Sequence, residues 1–300
     1  MRKFTCFISN GNYSVGFSGQ TVWVYDTGGA LLAKFRDLIY AYDAAFSPKG
    51  DIFVVKTIDG RLGVYGLEPP RLIKKFRFSK VDYSQDDNFC FSPDGERLYN
   101  IERQESSLHS VLSVYRTDDF SLEKRYAWYD TGIEVTCVDC DSTADCCYLT
   151  GCIRDKSGVC RQCFVARLAD DVLADFKLVP DHMYNIYNAY KRLESRGFTE
   201  QEVERSILSM ESYQQQMAEE HCTLEELRGR KASLAELWQR YPLATAEELE
   251  RMEPIVLSEE ETQRIAEDIW QIFYAKLREF GIPVQPDSLL TSKEPTEPHS

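Results

Sequence analysis

The chain lacks most of the short motifs that mark an enzyme. It holds no Gly-x-Gly-x-x-Gly, no Gly-Lys-Ser/Thr phosphate loop, no Gly-x-Ser-x-Gly and no His-Glu-x-x-His, so dinucleotide binding, P-loop chemistry, the hydrolase elbow and the zincin helix have no carrier in it. Histidine is scarce: His109, His182, His221 and His299 are the four, and no two stand at a metal-ligand spacing. Carboxylates are plentiful, and adjacent pairs such as Asp86-Asp87 and Asp118-Asp119 read as turns or solvated faces rather than acid/base dyads. No run approaches the roughly eighteen apolar residues of a membrane helix. The start, Met1-Arg2-Lys3-Phe4-Thr5-Cys6, enters an alternating pattern without a signal-peptide core. The expected compartment is therefore the cytoplasm. A basic stripe is lacking too: the net charge is -14, and most of the acidic excess falls after residue 180. That charge repels phosphate backbones and anionic lipid, so neither nucleic acid nor membrane is an expected partner.

What the chain does have is a sizeable apolar content, 43% hydrophobic and 12% aromatic, arranged in a repeat. Ala45-Phe46-Ser47-Pro48-Lys49-Gly50-Asp51 and Cys90-Phe91-Ser92-Pro93-Asp94-Gly95-Glu96 are two copies of one phrase. Each is followed by a strand pattern and then a Val-Tyr pair. Val24, Val64, Val114 and Val165 align at a period of about 40–50 residues, the signature of stacked four-stranded units that cannot bury both faces alone. The second unit reads most clearly, with strands at 42–46, 52–57, 62–65 and 72–78. Pro48 presets φ for a turn that Gly50 closes with a positive φ, and Asp59-Gly60 suits a tight hairpin. In the third and fourth units the second hairpin lengthens, through Arg103 to Ser110 and through Arg154 to Gly158.

On these residues, Phe46-Ser47-Pro48-Lys49-Gly50, Phe91-Ser92-Pro93-Asp94-Gly95, Asp59-Gly60 and Val24-Tyr25-Asp26, the chain resembles the WD-repeat β-propeller family over residues 1–180. The resemblance implies an all-β N-terminal domain of about four WD-like blades. Tyr stands where that family's Trp would precede the Asp, and only Asp26 keeps the Asp.

After Pro180 the apolar period changes from 2 to 3.6, which predicts an α-helical domain over 181–282. Met183, Ile186, Tyr187, Tyr190 and Leu193 share one face. Thr199 with Glu202 has capping-box spacing for a second helix. Further helices are predicted from Leu224 to Leu237, Ala246 to Met252 and, most strongly, Ser258 to Phe280. Residues 283–300 are rich in Pro, Thr, Ser and Glu and read as a disordered tail.

Seven of the ten cysteines lie between Cys137 and Cys163. Cys137-x2-Cys140 with Cys160-x2-Cys163 has a spacing close to that of zinc ribbons. The repeat register sets the first pair on the unit's first strand and the second pair on its third, with a whole strand between. The favoured reading is small buried thiols. In a reducing compartment they would be thiols or metal ligands rather than cross-links. A metal (zinc)-binding protein or enzyme built on Cys137, Cys140, Cys160 and Cys163 is the alternative.

The expected function is non-enzymatic, without a cofactor: an interaction or scaffold protein using propeller loops as a binding surface for protein partners. Both long loops are second hairpins and should project from one face, so Gln104, Glu105, His109, Arg154, Asp155 and Lys156 are the candidate contact residues. A homo-oligomer pairing two four-blade halves is a further expectation.

Overall fold

The structure, a computed structural model, describes residues 4, 6–78, 88–103, 110–127, 132–141, 146–154, 160–168, 175–179, 199, 201–202, 205, 218, 233–250, 264 and 271. The chain divides into two compact units, Met1–Ile255 and Val256–Ser300. Of the second, only Arg264 and Gln271 are described, both helical. The helix expected from Ser258 to Phe280 and the tail at 283–300 otherwise lie outside the described residues.

Four antiparallel four-stranded sheets follow one another along the first unit, each a simple meander. Sheet 1 comprises β1 (Cys6–Ser9), β2 (Tyr13–Ser18), β3 (Thr21–Asp26) and β4 (Leu31–Phe35). Sheet 2 comprises β5 (Ala41–Phe46), β6 (Ile52–Thr57), β7 (Arg61–Leu67) and β8 (Pro70–Arg77). Sheet 3 comprises β9 (Phe89–Phe91), β10 (Arg97–Arg103), β11 (Ser110–Arg116) and β12 (Leu122–Ala127). Sheet 4 comprises β13 (Ile133–Asp141), β14 (Cys146–Arg154), β15 (Cys160–Arg167) and β16 (Asp175–Val179). This is a mostly β, propeller-like architecture, and the unit boundaries are those the repeated phrase predicts.

The phrase builds the same turn twice. Gly50 N donates to Ser47 O and Gly95 N to Ser92 O, both at 2.9 Å. The two glycines carry φ of 73° and 69°, a region in which a side chain would be strained. Ser47 and Ser92 are buried, and their hydroxyls accept the amides of Lys49 at 3.2 Å and Arg97 at 2.9 Å. Local hydrogen-bonding chemistry therefore fixes where β5 and β9 end.

Period-2 alternation then sends successive side chains to opposite neighbours. Phe53 and Val55 meet Val15, Phe17 and Val24 of sheet 1, while Val54 of the same strand meets Phe89, Phe91 and Leu98 of sheet 3. Ile101 and Leu112 of sheet 3 pack on Val135, Leu149 and Phe164 of sheet 4. Each sheet thus completes the core of the next. Lys56, fully buried, adds a polar stitch by donating from Nζ to the Ile101 carbonyl at 2.7 Å.

The outer face of sheet 4 is covered by a helix. In α1 (Leu234–Arg240), Leu234, Ala235 and Leu237 pack against Cys137, Tyr148, Cys152, Cys163 and Val165. Ser233 and Glu236 form a capping box that starts the helix. Lys177 donates to the Trp238 carbonyl and sits 4.4 Å from its ring centroid. Ala244 N donates to Phe176 O at 2.7 Å, extending the edge of β16. A second short helix, α2 (Ala246–Glu250), is opened by a Thr245–Glu248 box. The Thr199–Glu202 box expected from sequence is formed, with Thr199 N donating to the Glu202 carboxylate at 2.8 Å. Of the helix expected from Leu224 to Leu237, the described part differs in its bounds: Ser233 is an extended N-cap and the helix runs from Leu234 on to Arg240. The one expected from Ala246 to Met252 is described as far as Glu250, and the remaining helices expected over 181–282 lie outside the described residues. None of the described helices is long and apolar enough to cross a membrane.

One expectation about the cysteines is corrected. The sulfurs are not all thiols or metal ligands: Cys140 and Cys147 form a disulfide. They are direct cross-strand partners on β13 and β14. Directly opposed residues in an antiparallel pair bring their Cβ atoms to within about 5.5 Å, whereas the adjacent Cys146 and Cys147 face opposite ways.

Candidate interaction face

Hairpin length separates one end of the stack from the other. The second hairpin turns over Gly19-Gln20 in sheet 1 and over Ile58-Asp59-Gly60 in sheet 2, but over 104–109 in sheet 3 and 155–159 in sheet 4. Gln104, Glu105, His109, Asp155 and Lys156 fall within those longer segments and lie outside the described residues. Arg154, the remaining candidate, is described, and it stands at the base of the fourth-sheet loop.

The bases of the two loops are tied together. Glu134, at the start of β13, accepts from Arg103 Nη1 at 2.6 Å through Oε1 and from Arg154 Nε through Oε2. Arg103 is the last residue of β10, immediately before the third-sheet loop, and Arg154 the last of β14. Ser110, the first residue after that loop, accepts the Val135 amide on its buried hydroxyl at 2.8 Å. Arg154 N also donates to the Gly132 carbonyl at 3.0 Å. Sequence inspection named Arg154 but missed Glu134 and Arg103; position is the only signal for them, since each lies at a strand end beside a long hairpin.

The electrostatics give a pH dependence. Burial alone would push Glu134 up, but the charges and hydrogen bonds of Arg103 and Arg154 outweigh it and hold the carboxyl below the usual glutamate range. A depressed folded-state value means the stabilisation is complete above the ordinary value of about 4.3 and is lost as pH falls through the depressed one. Arg154 is 38% exposed, so solvent screens part of the interaction. Glu134→Gln is expected to cost about 1–2 kcal/mol near neutrality and much less at about pH 3. Urea unfolding midpoints at the two pH values measure this; an equal loss at both would disprove the linkage.

The opposite end holds a cleft of about 610 Å³ between sheets 2 and 3, lined by Ser47, Lys49, Gly95, Arg97, Arg116 and Glu123 among others. The repeated phrase thus forms part of its wall. Two of its ion pairs are internal: Arg97 forks onto Glu123 at 3.0 and 3.2 Å, and Arg116 pairs with Asp118, while Lys49, Asp51 and Glu96 also line the cleft. Hydrogen bonding and charge from Arg116 bring Asp118 down to about 2.

The two Cys-x-x-Cys pairs lie on β13 and β15, with β14 between them. Cys140 is held in its disulfide, Cys137 and Cys163 are buried against α1, and Cys160 pairs in register with Arg154. Among the described residues, no three His, Cys, Asp or Glu side chains converge as a metal site.

No family model matches this chain, and no curated protein matches it. Among solved structures it is similar to dihydro-heme d1 dehydrogenase NirN in complex with DHE, at 15% identity over 58% of this chain and 34% of that one, with a TM-score of 0.41. It is also similar to Kuenenia stuttgartiensis hydrazine synthase, at 14% identity over 59% of this chain and 49% of that one, with a TM-score of 0.44. The chain spans less than half the length of either, and at these scores the likeness carries no argument about chemistry.

Proposed function

We propose that this chain is a non-enzymatic protein-interaction or scaffold protein, built on four WD-like blades and a helical C-terminal region, which binds protein partners through the long second hairpins of sheets 3 and 4. The observation that supports this reading is the Arg103–Glu134–Arg154 brace. It holds the roots of two lengthened loops side by side on a rigid stack, the arrangement in which loops make a preorganised binding surface.

The test uses the full chain with alanine across Gln104–His109 and Arg154–Ser157, compared with the wild type in quantitative affinity capture from the source cells. A companion variant confined to 104–109 and 155–157 leaves the Glu134 brace intact. Specific partners are expected to drop by at least about tenfold, or about 1.4 kcal/mol, in both variants. An unchanged partner set in the companion variant, with its folding preserved, overturns the reading.

A further inference from the structure

The junction between sheets 3 and 4 brings a third cysteine to the disulfide. Asn88, just before β9, acts as a side-chain rung against β13: its Oδ1 accepts from Val138 N at 2.7 Å and its Nδ2 donates to Val138 O at 2.9 Å. Its own carbonyl accepts from Ile101 N at 3.1 Å, which anchors it to β10. Two residues further along each strand, Cys90 meets Cys140, with the sulfurs 3.4 Å apart. Cys140 is at the same time bonded to Cys147. Cys90 and Cys140 are both partly exposed, while Cys147 is buried. Cys137, Cys146, Cys152 and Cys163 belong to the opposite face of sheet 4, packed toward α1. Cys90 is therefore the thiol that this fold presents to the disulfide.

We propose that these three residues form an internal thiol–disulfide exchange site, in which Cys90 converts the Cys140–Cys147 bond within sheet 4 into a Cys90–Cys140 bond between sheets 3 and 4. The Cys90 thiol gives its proton to solvent, and the thiolate attacks Cys140 Sγ. A Cys90–Cys140 bond forms as the Cys140–Cys147 bond breaks. The electron pair leaves on Cys147 Sγ, which takes up a proton. One disulfide and one thiol stand on each side of the step, so no oxidant or reductant is consumed. The reciprocal Asn88–Val138 hydrogen bonds supply the preorganisation, because they fix the relative register of β9 and β13 before any covalent change. The exchanged bond joins residues 50 apart rather than 7. It replaces a link inside one hairpin by a staple between two sheets, and so converts a local restraint into an inter-sheet one. The site stands independently of the proposed binding role of the loops.

The experiment takes the full-length protein equilibrated with oxidised glutathione, incubated at about pH 6 and at about pH 8.5 and then quenched in acid. Thiols are blocked with N-ethylmaleimide in denaturant, and linked and blocked peptides are mapped by mass spectrometry. Both Cys140–Cys147 and Cys90–Cys140 linkages are expected, with Cys147 blocked in at least about one chain in twenty and the equilibrium reached faster at the higher pH, as thiolate attack requires. Cys90→Ser should show Cys147 linked in every chain. Cys147→Ala should convert wholly to Cys90–Cys140. Three outcomes overturn the proposal: wild-type protein with Cys147 blocked in fewer than about one chain in two hundred at both pH values, blocked Cys147 persisting in Cys90→Ser, or all three cysteines recovered as thiols.

Discussion

Gly151→Ala is expected to cost about 3 kcal/mol or more and to show as a large drop in the urea midpoint or as loss of soluble protein. Gly151 lies in the buried middle of β14, opposite Val135 on one side and Phe164 on the other. A Cβ built there would stand 1.9 Å from the Glu134 carbonyl oxygen and 2.9 Å from Val135 Cα. Both are backbone atoms, so the clash is relieved only by moving β13, at the place where its register shifts between Val135 and Cys137. The backbone of Glu134 would shift with it and loosen the brace to Arg103 and Arg154. Gly63 provides the contrast. Its Cβ would meet Leu38 Cδ1 at 2.9 Å and Tyr65 at 3.0 Å, and the leucine methyl can rotate away. Gly63→Ala is expected to cost about 1 kcal/mol. Equal midpoints for Gly151→Ala and wild type would show that β13 and β14 do not approach as described.

Glu102→Ala is expected to be comparably severe, at about 3–5 kcal/mol. The Glu102 side chain is 2% exposed and receives hydrogen bonds from Tyr115 Oη at 2.5 Å, Asn100 Nδ2 at 3.2 Å and Arg125 Nη2 at 3.0 Å. Burial first, and then the adjacent Glu102 charge, push the Tyr115 hydroxyl well above the usual tyrosine range, so it stays a donor at any physiological pH. Removing the carboxylate leaves that hydroxyl and the buried Asn100 amide facing a cavity, each costing about 1–3 kcal/mol. The exposed side of Arg125 can turn to water. Glu102→Gln keeps the volume and one acceptor, and about half the loss should return. Thermal unfolding of the pair checks the ordering; a Gln variant as damaged as the Ala variant would show that charge, not hydrogen-bond satisfaction, dominates.

Much of the sheet framework was legible in the residues, because its signals are local. Ser47-Pro48-Lys49-Gly50 and Ser92-Pro93-Asp94-Gly95 are turns on any scaffold, and β6 runs over Ile52–Thr57 as its alternation predicts. The second-hairpin loops were legible as interruptions of that alternation. The sites were not. The Glu134 brace depends on which strand ends adjoin once the sheets have stacked, and neither Arg103 nor Glu134 breaks a local pattern. Cys140 and Cys147 had a faint signal, since they stand symmetrically about a turn. Cys90 had none: by strand register its counterpart in sheet 4 is Cys137, opposite Thr150 as Cys90 is opposite Tyr99, and only the stacking of the sheets brings it to Cys140.

The amino-acid sequence by itself determined the repeat, its turns and the alternation of buried and exposed positions, all consequences of φ preferences and side-chain polarity within a few residues. Only the tertiary structure decided which sulfur bonds to which, that Asn88 sets the register between β9 and β13, and that α1 covers the outer face of sheet 4. Apart from the Cys140–Cys147 bond within one hairpin, those outcomes depend on stacking and register between segments far apart in the chain, 50 residues for Asn88 and Val138, where the hydrophobic effect favours burial without specifying a partner.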